Sequence, residues 1–166
     1  MTSDRDDHPS DEYSQSPEIE KIIFTGSEDV FASGANLREI ARVTAENARQ
    51  FAKRGQSLMK KIAESPKLTV AAVNGFCFGG ALDLALSCKF RVASPNASFS
   101  HPGANLGIIT GWGGTQRLPR LVGEFAALEM FLTAKRVDAP EALRIGLIDR
   151  ISENPLQWAL RIEKQN

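Results

Sequence analysis

The chain has 166 residues, of which 42% are hydrophobic, and its 20 basic and 20 acidic side chains give a formal net charge of zero. This length and composition fit one globular domain of ordinary size. Nucleic acid and anionic membrane surfaces attract proteins with a basic surplus, which this chain lacks, so a small-molecule or protein partner is favoured.

The cysteines and the apolar stretches indicate the cell compartment. Cys77 and Cys88 lie in apolar surroundings without the spacing of zinc ligands, so we expect reduced, buried thiols and no metal site. No N-terminal segment reads as a secretory signal, and the apolar stretches at residues 68–73 and 76–86 are too short or too interrupted to span a bilayer. We expect a soluble, cytoplasmic protein.

The N-terminal eighteen residues are acidic and polar and include Pro9 and Pro17. They carry too little apolar surface to offset the entropy lost on ordering, which predicts a disordered arm over residues 1–18 and a domain over residues 19–166. Residues 22–24 form an apolar run closed by Thr25, Gly26 and Ser27, which predicts a buried strand and a turn.

A long amphipathic helix and a second strand follow. Apolar residues recur at three- and four-residue spacing between Leu37 and Ile62, so we predict a helix, interrupted near Gly55, that ends at Ser65 and Pro66. Residues 68–73 predict a second buried strand ended by Asn74-Gly75.

The remaining pattern alternates between helices and strands. A Gly79-Gly80 turn opens a predicted helix over residues 81–88, and Gly146 suits the end of a later one. We predict strands at residues 90–93 and 97–100, helices around residues 115–121, 124–133, 140–145 and 155–164, and an extended segment at residues 147–151. Strands alternating with helices predict an α/β fold.

Three glycine-centred segments, residues 31–36, 74–80 and 111–119, precede predicted helices. Turn geometry alone accounts for each of them. Two such turns can also direct backbone N–H groups to one point and form an oxyanion hole. Asp83 follows Gly80 by three residues and would lie close to such a hole. The only histidines are His8 and His101, so a histidine triad or a multi-histidine metal site is difficult to build.

Several stretches are distinctive in combination: residues 33–37 (Ser-Gly-Ala-Asn-Leu), residues 69–75 with Gly79 and Gly80, residues 106–119, residues 131–133 and residues 141–148. In order and spacing they resemble the crotonase (enoyl-CoA hydratase/isomerase) superfamily. The resemblance runs from about residue 22 to residue 151, and several independent motifs make it far more specific than one glycine-rich loop.

The resemblance implies a spiral of ββα units, assembly into homotrimers or hexamers, and an acyl-CoA substrate. It needs no separate cofactor, because coenzyme A is part of the substrate. It places the donors of an oxyanion hole at the amides of Ala35 and Gly80, and an acid or base at Asp83. We expect substrate-binding positions at Ser33, Gly34, Asn36, Gly79 and Gly103 within the matching motifs, and at His101, a polar residue near Gly103.

Two departures from the family pattern bear on the chemistry. Hydratases of the family carry two glutamates twenty residues apart, and here these positions hold Asp83 and Gly103. Asp83 is one methylene shorter than glutamate, and Gly103 has no side chain. His101 is the natural substitute for an acid or base, although the pattern favours a histidine packed or hydrogen-bonded in a loop. Dihydroxynaphthoyl-CoA synthases are similar in having glycine at the second position, where bicarbonate supplies the base, but an acidic residue at position 83 does not fit them.

The length also departs from the family. The acidic arm stands where members have a strand hairpin and helix, and the usual C-terminal helical region is shorter here, so we expect a truncated crotonase-like domain. Two functions follow: a hydratase or isomerase with Asp83 as the surviving carboxylate, or a catalytically degenerate acyl-CoA-binding or assembly subunit.

Overall fold

The computed structural model describes residues 16–163, so the first fifteen residues of the predicted arm lie outside the described range. The strands are β1 Lys21–Thr25, β2 Val30–Ala32, β3 Leu68–Val73, β4 Phe76–Phe78, β5 Phe90–Ala93, β6 Ser98–Ser100, β7 Val137–Asp138 and β8 Arg150–Ile151. The helices are α1 Leu37–Ile40, α2 Ala48–Glu64, α3 Gly80–Ser87, α4 Gly114–Val122, α5 Glu124–Thr133, α6 Ala139–Arg144 and α7 Pro155–Arg161, with a 3₁₀-helix at Pro102–Leu106.

The strands form two four-stranded sheets. In the first sheet the order is β1-β3-β5-β8 and all neighbours are parallel. In the second sheet β2, β4 and β6 are parallel and β7 pairs antiparallel with β6. Each unit places one strand in each sheet and then a helical segment, as β1-β2-α1, β3-β4-α3 and β5-β6-3₁₀ do. The expected spiral of ββα units is thereby confirmed.

Strand β3 lies at the centre of the first sheet and is apolar on both faces. Ala71 and Val73 belong to the main hydrophobic cluster, and Val70 and Ala72 pack on the opposite face with Ala159 of α7. All four β3 residues are inaccessible to solvent. Helix α7 therefore covers the outer face of this sheet, which explains why β3 reads as a continuous apolar run rather than an alternating one.

A helix interrupted near Gly55 was predicted, but the structure places the interruption elsewhere. The break lies at residues 41–47, and α2 runs without interruption through Gly55. Within the break, the Asn47 side chain accepts a hydrogen bond from the Thr44 amide at 2.7 Å and donates one to the Arg42 carbonyl at 3.3 Å. These side-chain bonds take the place of helical backbone bonds. Gly55 is buried, and a side chain there would collide with the indole of Trp112.

Asn74 ties the two sheets together where β3 ends. Its side-chain oxygen accepts a hydrogen bond from the Gly26 amide at 3.0 Å, and its side-chain nitrogen donates to the carbonyls of Glu28 at 2.7 Å and Val30 at 3.2 Å. The turn between β1 and β2 is therefore fixed to the turn between β3 and β4. This anchoring holds β2 beside β4, where the candidate site begins.

The prediction made for the two cysteines can be compared with this fold. Cys77 and Cys88 are buried, unbridged thiols, as predicted. Between residues 16 and 163, no helix combines the length and apolar character needed to cross a bilayer. In the same range no cluster of three or more histidine, cysteine, aspartate or glutamate side chains is placed to hold a metal ion.

Candidate active site

The candidate site lies at the carboxyl ends of the three parallel strands of the second sheet. Because parallel strands end at the same edge, the residues that follow β2, β4 and β6 meet there. A hydrogen bond of 2.9 Å from the Gly79 amide to the Ser100 carbonyl joins the last two of these ends. A cavity of about 390 Å³ opens at this edge and extends under α1, α2 and the 3₁₀-helix.

Seven of the nine sequence-predicted site residues line this cavity: Ser33, Ala35, Gly79, Gly80, Asp83, His101 and Gly103. Gly34 and Asn36 are not among the lining residues. The Asn36 side chain instead caps α1, where it accepts a hydrogen bond from the Arg38 amide at 2.9 Å. Its predicted part in substrate binding has no counterpart in the cavity wall and stays a prediction.

Gly34 brings the β2 and β4 loops into contact. Its φ is +93°, and a Cβ at this position would lie 2.7 Å from the Phe78 carbonyl oxygen and 2.9 Å from the Gly80 nitrogen. Both the backbone conformation and the close approach require glycine. The Gly34 loop therefore packs directly against Gly80, the first residue of α3, and Ala35 is the next residue of this loop.

The backbone amides of Ala35 and Gly80 are available to a ligand. Neither donates a hydrogen bond to any group in the described range 16–163. Gly80 is the first residue of α3, where amide groups have no partner within the helix and where the helix dipole favours negative charge. Such amides can stabilise an anionic oxygen.

Asp83 projects from the first turn of α3 into the protein and is 0% exposed. Its Oδ2 accepts a hydrogen bond from the Thr110 hydroxyl, whereas its Oδ1 has no hydrogen-bond partner among the described residues. Burial raises the pKa of Asp83 to about 6, against the opposing effects of Thr110, the nearby amides of Trp112 and Gly114, and the charge of Arg117. The carboxyl group can therefore exchange a proton near neutral pH.

His101 follows β6 and is 3% exposed. Its ring packs on Phe131 with 5.1 Å between the ring centroids, and its Nε2 lies 3.7 Å from Oδ1 of Asp83. Nε2 also has no hydrogen-bond partner in the part of the chain that is described. Burial lowers the pKa of His101 to about 4, so the imidazole is neutral at physiological pH. His101 is thus packed in its loop, and its Nε2 is directed at the Asp83 carboxylate. Its role as an acid or base stays a prediction.

Gly103 lies in the 3₁₀-helix. A Cβ here would stand 2.6 Å from the Ile108 carbonyl oxygen. The Gly103 carbonyl accepts a hydrogen bond of 3.0 Å from the Ile108 amide, so the two segments are fixed to one another. Glycine is therefore a requirement of this backbone, and no second carboxylate can be placed here without moving it.

Two residues of the site were not predicted from the sequence. Thr110, which holds Asp83, lies outside any recognisable turn or capping pattern. The ring of Trp112 contacts Gly55 of α2 and Gly80 of α3, and its centroid lies 5.8 Å from that of Phe51. It also lines the cavity and so forms part of the site. Gly55 and Gly80 both contact this ring, but they are distant in the sequence, so no sequence pattern predicts that they meet there.

A family model described as enoyl-CoA hydratase/isomerase matches residues 11–157. The chain belongs to this family. It is 45% identical over 136 residues to a crotonyl-CoA hydratase of Syntrophomonas wolfei subsp. wolfei, which covers 81% of this chain and 52% of that protein. It is 40% identical over 148 residues to a short-chain-enoyl-CoA hydratase of Clostridium acetobutylicum, which covers 89% of this chain and 57% of that protein.

Solved structures agree with this membership of the enoyl-CoA hydratase/isomerase family. An enoyl-CoA hydratase from Bacillus anthracis superposes with a TM-score of 0.85 at 33% identity, over 92% of this chain and 60% of that chain. The chain thus spans about half the length of the curated relatives it matches.

Proposed function

We propose that this chain acts on an enoyl-CoA thioester as a hydratase or double-bond isomerase, through an oxyanion hole that stabilises an enolate. One observation carries the proposal: a fully buried carboxylate, Asp83, faces the same cavity as the unpaired amide end of α3 at Gly80. Enolate chemistry needs a base beside the reacting carbons and donors at the thioester oxygen, and these residue types supply both.

In the proposed mechanism the thioester oxygen lies between the amides of Ala35 and Gly80. Charge that develops on this oxygen is stabilised by donors that need no reorganisation, and losing one such donor typically costs about a hundredfold or more in rate. Asp83 Oδ1 moves a proton to or from a carbon next to the carbonyl. A pKa near 6 suits this role, because the carboxylate is mostly ionised at neutral pH and is still a useful acid once protonated.

The size and lining of the cavity support a short acyl chain. The two curated relatives are named for crotonyl-CoA and short-chain enoyl-CoA, and the cavity here, about 390 Å³, is walled by apolar side chains including Phe51, Trp112 and Phe131. Ser33, Gly34, Asn36, Gly79 and Gly103 remain the proposed contacts for the rest of the substrate. Coenzyme A enters as part of the substrate, and no further cofactor is proposed.

We also propose a homotrimeric or hexameric state in the cytoplasm. Phe125 on α5 is 92% exposed, and Leu128 and Leu132 on the same helix are 54% and 67% exposed. Burying such side chains contributes about 2 kcal/mol each, so a second copy of the chain is a suitable cover for them. Sedimentation velocity measures this directly, and a monomer at micromolar concentration would contradict it.

A second function is favoured by one observation, the glycine at position 103. Because the backbone excludes a side chain there, the carboxylate pair of family hydratases cannot form, and the chain could serve as an acyl-CoA-binding or assembly subunit without turnover. The two functions differ in whether bound substrate is converted.

The deciding experiment incubates the purified chain with crotonyl-CoA and with a 3-enoyl-CoA, beside an Asp83→Asn variant, and follows products by mass spectrometry. We expect conversion by the parent chain and a loss of about a hundredfold or more in the variant. Binding of both thioesters, seen by calorimetry, without conversion of either would support the subunit function instead.

A further inference from the structure

Two titratable side chains, Asp83 and His101, are present among the described residues that line the cavity. Asp83 is 0% and His101 3% exposed. Each directs one polar atom that has no protein partner within residues 16–163, Oδ1 of Asp83 and Nε2 of His101. Leaving a buried polar atom unpaired is destabilising, so two such atoms side by side in the cavity indicate a site for a ligand.

The separation of the two atoms fits a single small oxygen ligand. Nε2 and Oδ1 lie 3.7 Å apart, which is too long for a direct hydrogen bond. An oxygen atom about 2.8 Å from each of them would complete two hydrogen bonds of ordinary length. Water, which carries two O–H donors on one oxygen, can donate to both atoms at once.

Both side chains are held in place before any ligand arrives. The other carboxylate oxygen of Asp83 is occupied by the Thr110 hydroxyl. The imidazole of His101 packs on Phe131, and the preceding residue, Ser100, receives the hydrogen bond from Gly79. Because these contacts restrict the rotation of the two side chains, Oδ1 of Asp83 and Nε2 of His101 stay directed at the same point in the cavity.

We propose that Asp83 and His101 together hold the water that adds to the enoyl thioester, with His101 taking the place of the second carboxylate that the backbone excludes at Gly103. This inference rests on the proposed function and narrows it to hydration. The neutral state of the imidazole, with burial lowering the pKa of His101 to about 4, leaves Nε2 able to accept a hydrogen bond from the water.

The step balances with the residues present. The water oxygen bonds to the β-carbon of the enoyl group while one water proton passes to Oδ1 of Asp83. The electron pair of the double bond moves onto the thioester oxygen, held by the amides of Ala35 and Gly80. The enolate then takes the proton back from Asp83 at the α-carbon. The second water hydrogen, bound to Nε2 of His101, remains on the product hydroxyl, so one water is added and nothing is oxidised.

The test compares hydration of crotonyl-CoA with isomerisation of a 3-enoyl-CoA in the His101→Phe variant. Phenylalanine keeps an aromatic ring against Phe131 and removes Nε2. Isomerisation needs one base and no bound water, so we expect the kcat of hydration to fall about a hundredfold with little change in KM, and to fall far more than that of isomerisation. His101→Gln, which restores a polar group near Nε2, should recover part of the hydration.

The chain's other histidine supplies a matched control, and His8→Phe should hydrate like the parent chain. Hydration by His101→Phe at the parent rate, or an equal loss of hydration and isomerisation in both His101 variants, would overturn the role of His101 while leaving the proposed function standing. If the folded parent chain converts neither substrate, the proposed function fails and this inference fails with it.

Discussion

The Cα of Gly114 stands directly against Oδ1 of Asp83, so that a methyl group at position 114 would occupy the place of the carboxylate oxygen. Gly114 is the first residue of α4, and the same methyl group would also meet Cγ2 of Thr110, which holds the other oxygen. The start of α4 thus fixes the position of the Asp83 carboxylate.

Gly114→Ala is therefore expected to displace Asp83 and lower the rate of enoyl-CoA conversion about a hundredfold, because displacements near 1 Å have effects of that size. Steady-state kinetics with crotonyl-CoA measures the change. Gly111→Ala is the matched control: a Cβ there meets nothing within 4 Å, and the variant should keep most of its activity. Equal activity of the two variants would contradict the account of the Asp83 position.

The rate should depend on pH through Asp83. The proposed base works in its ionised form, and burial raises the pKa of Asp83 to about 6. We expect kcat/KM for hydration to rise with pH through about 6 and to level off above it. His101, whose pKa is lowered to about 4, stays neutral over this range and adds no second limb. A rate that falls as the pH rises through 6 would mean that Asp83 acts first as an acid.

Because Asp83 is buried, its ionised form lowers the free energy of unfolding. A carboxyl group whose pKa is raised in the folded state stabilises the fold below its ordinary value of 3.8, and this contribution is lost as the pH rises through about 6. We expect Asp83→Asn to raise the free energy of unfolding at pH 8, by up to about 3 kcal/mol, and to change it little at pH 4.

Urea unfolding of the two proteins at both pH values measures this difference. The effect of His101 has the opposite sign, since its neutral form is favoured in the fold, but it is present in both proteins and cancels in the comparison. Asp29→Asn, at an exposed carboxylate, controls for the change of net charge. A variant less stable than the parent at pH 8 would be inconsistent with a buried, ionised Asp83.

Gly55 offers a test of the packing behind the site. Replacing a helical glycine with alanine normally stabilises by about 1 kcal/mol. Here the new methyl group would collide with the Trp112 ring, and such overpacking costs about 1–3 kcal/mol. We expect Gly55→Ala to lower the free energy of unfolding and to change Trp112 fluorescence, whereas Ser57→Ala, at an exposed position of α2, should do neither. A more stable Gly55→Ala protein would show that Trp112 moves freely.

The sequence predicts the long elements of the fold well and the short ones poorly. Residues 68–73 and 90–93 are buried strands as predicted, because continuous apolar runs leave few alternatives. The strands β2, β4 and β7 have two or three residues each, too few for any periodicity to appear, and were not predicted. Their pairing comes from contacts such as those of Asn74, which join residues distant in the chain.

The sequence likewise predicts some residues of the candidate site and misses others. Family motifs locate Gly80 and Asp83, and His101 was singled out as a polar residue near Gly103; all three line the cavity. Thr110 could not be identified, since its role depends on where the loop before α4 places one hydroxyl. Similarly, the sequence shows that Gly103 lacks a side chain but cannot show that the Ile108 carbonyl excludes one.

The most direct measurement is hydration of crotonyl-CoA in water labelled with heavy oxygen, with the parent chain and Asp83→Asn in parallel. Mass spectrometry of the product reports whether solvent oxygen has been added at the double bond. We predict a labelled hydroxyacyl-CoA from the parent chain and about a hundredfold less from the variant. Recovery of unlabelled crotonyl-CoA from the folded parent chain, or equal labelling by both proteins, would contradict Asp83-dependent addition of water.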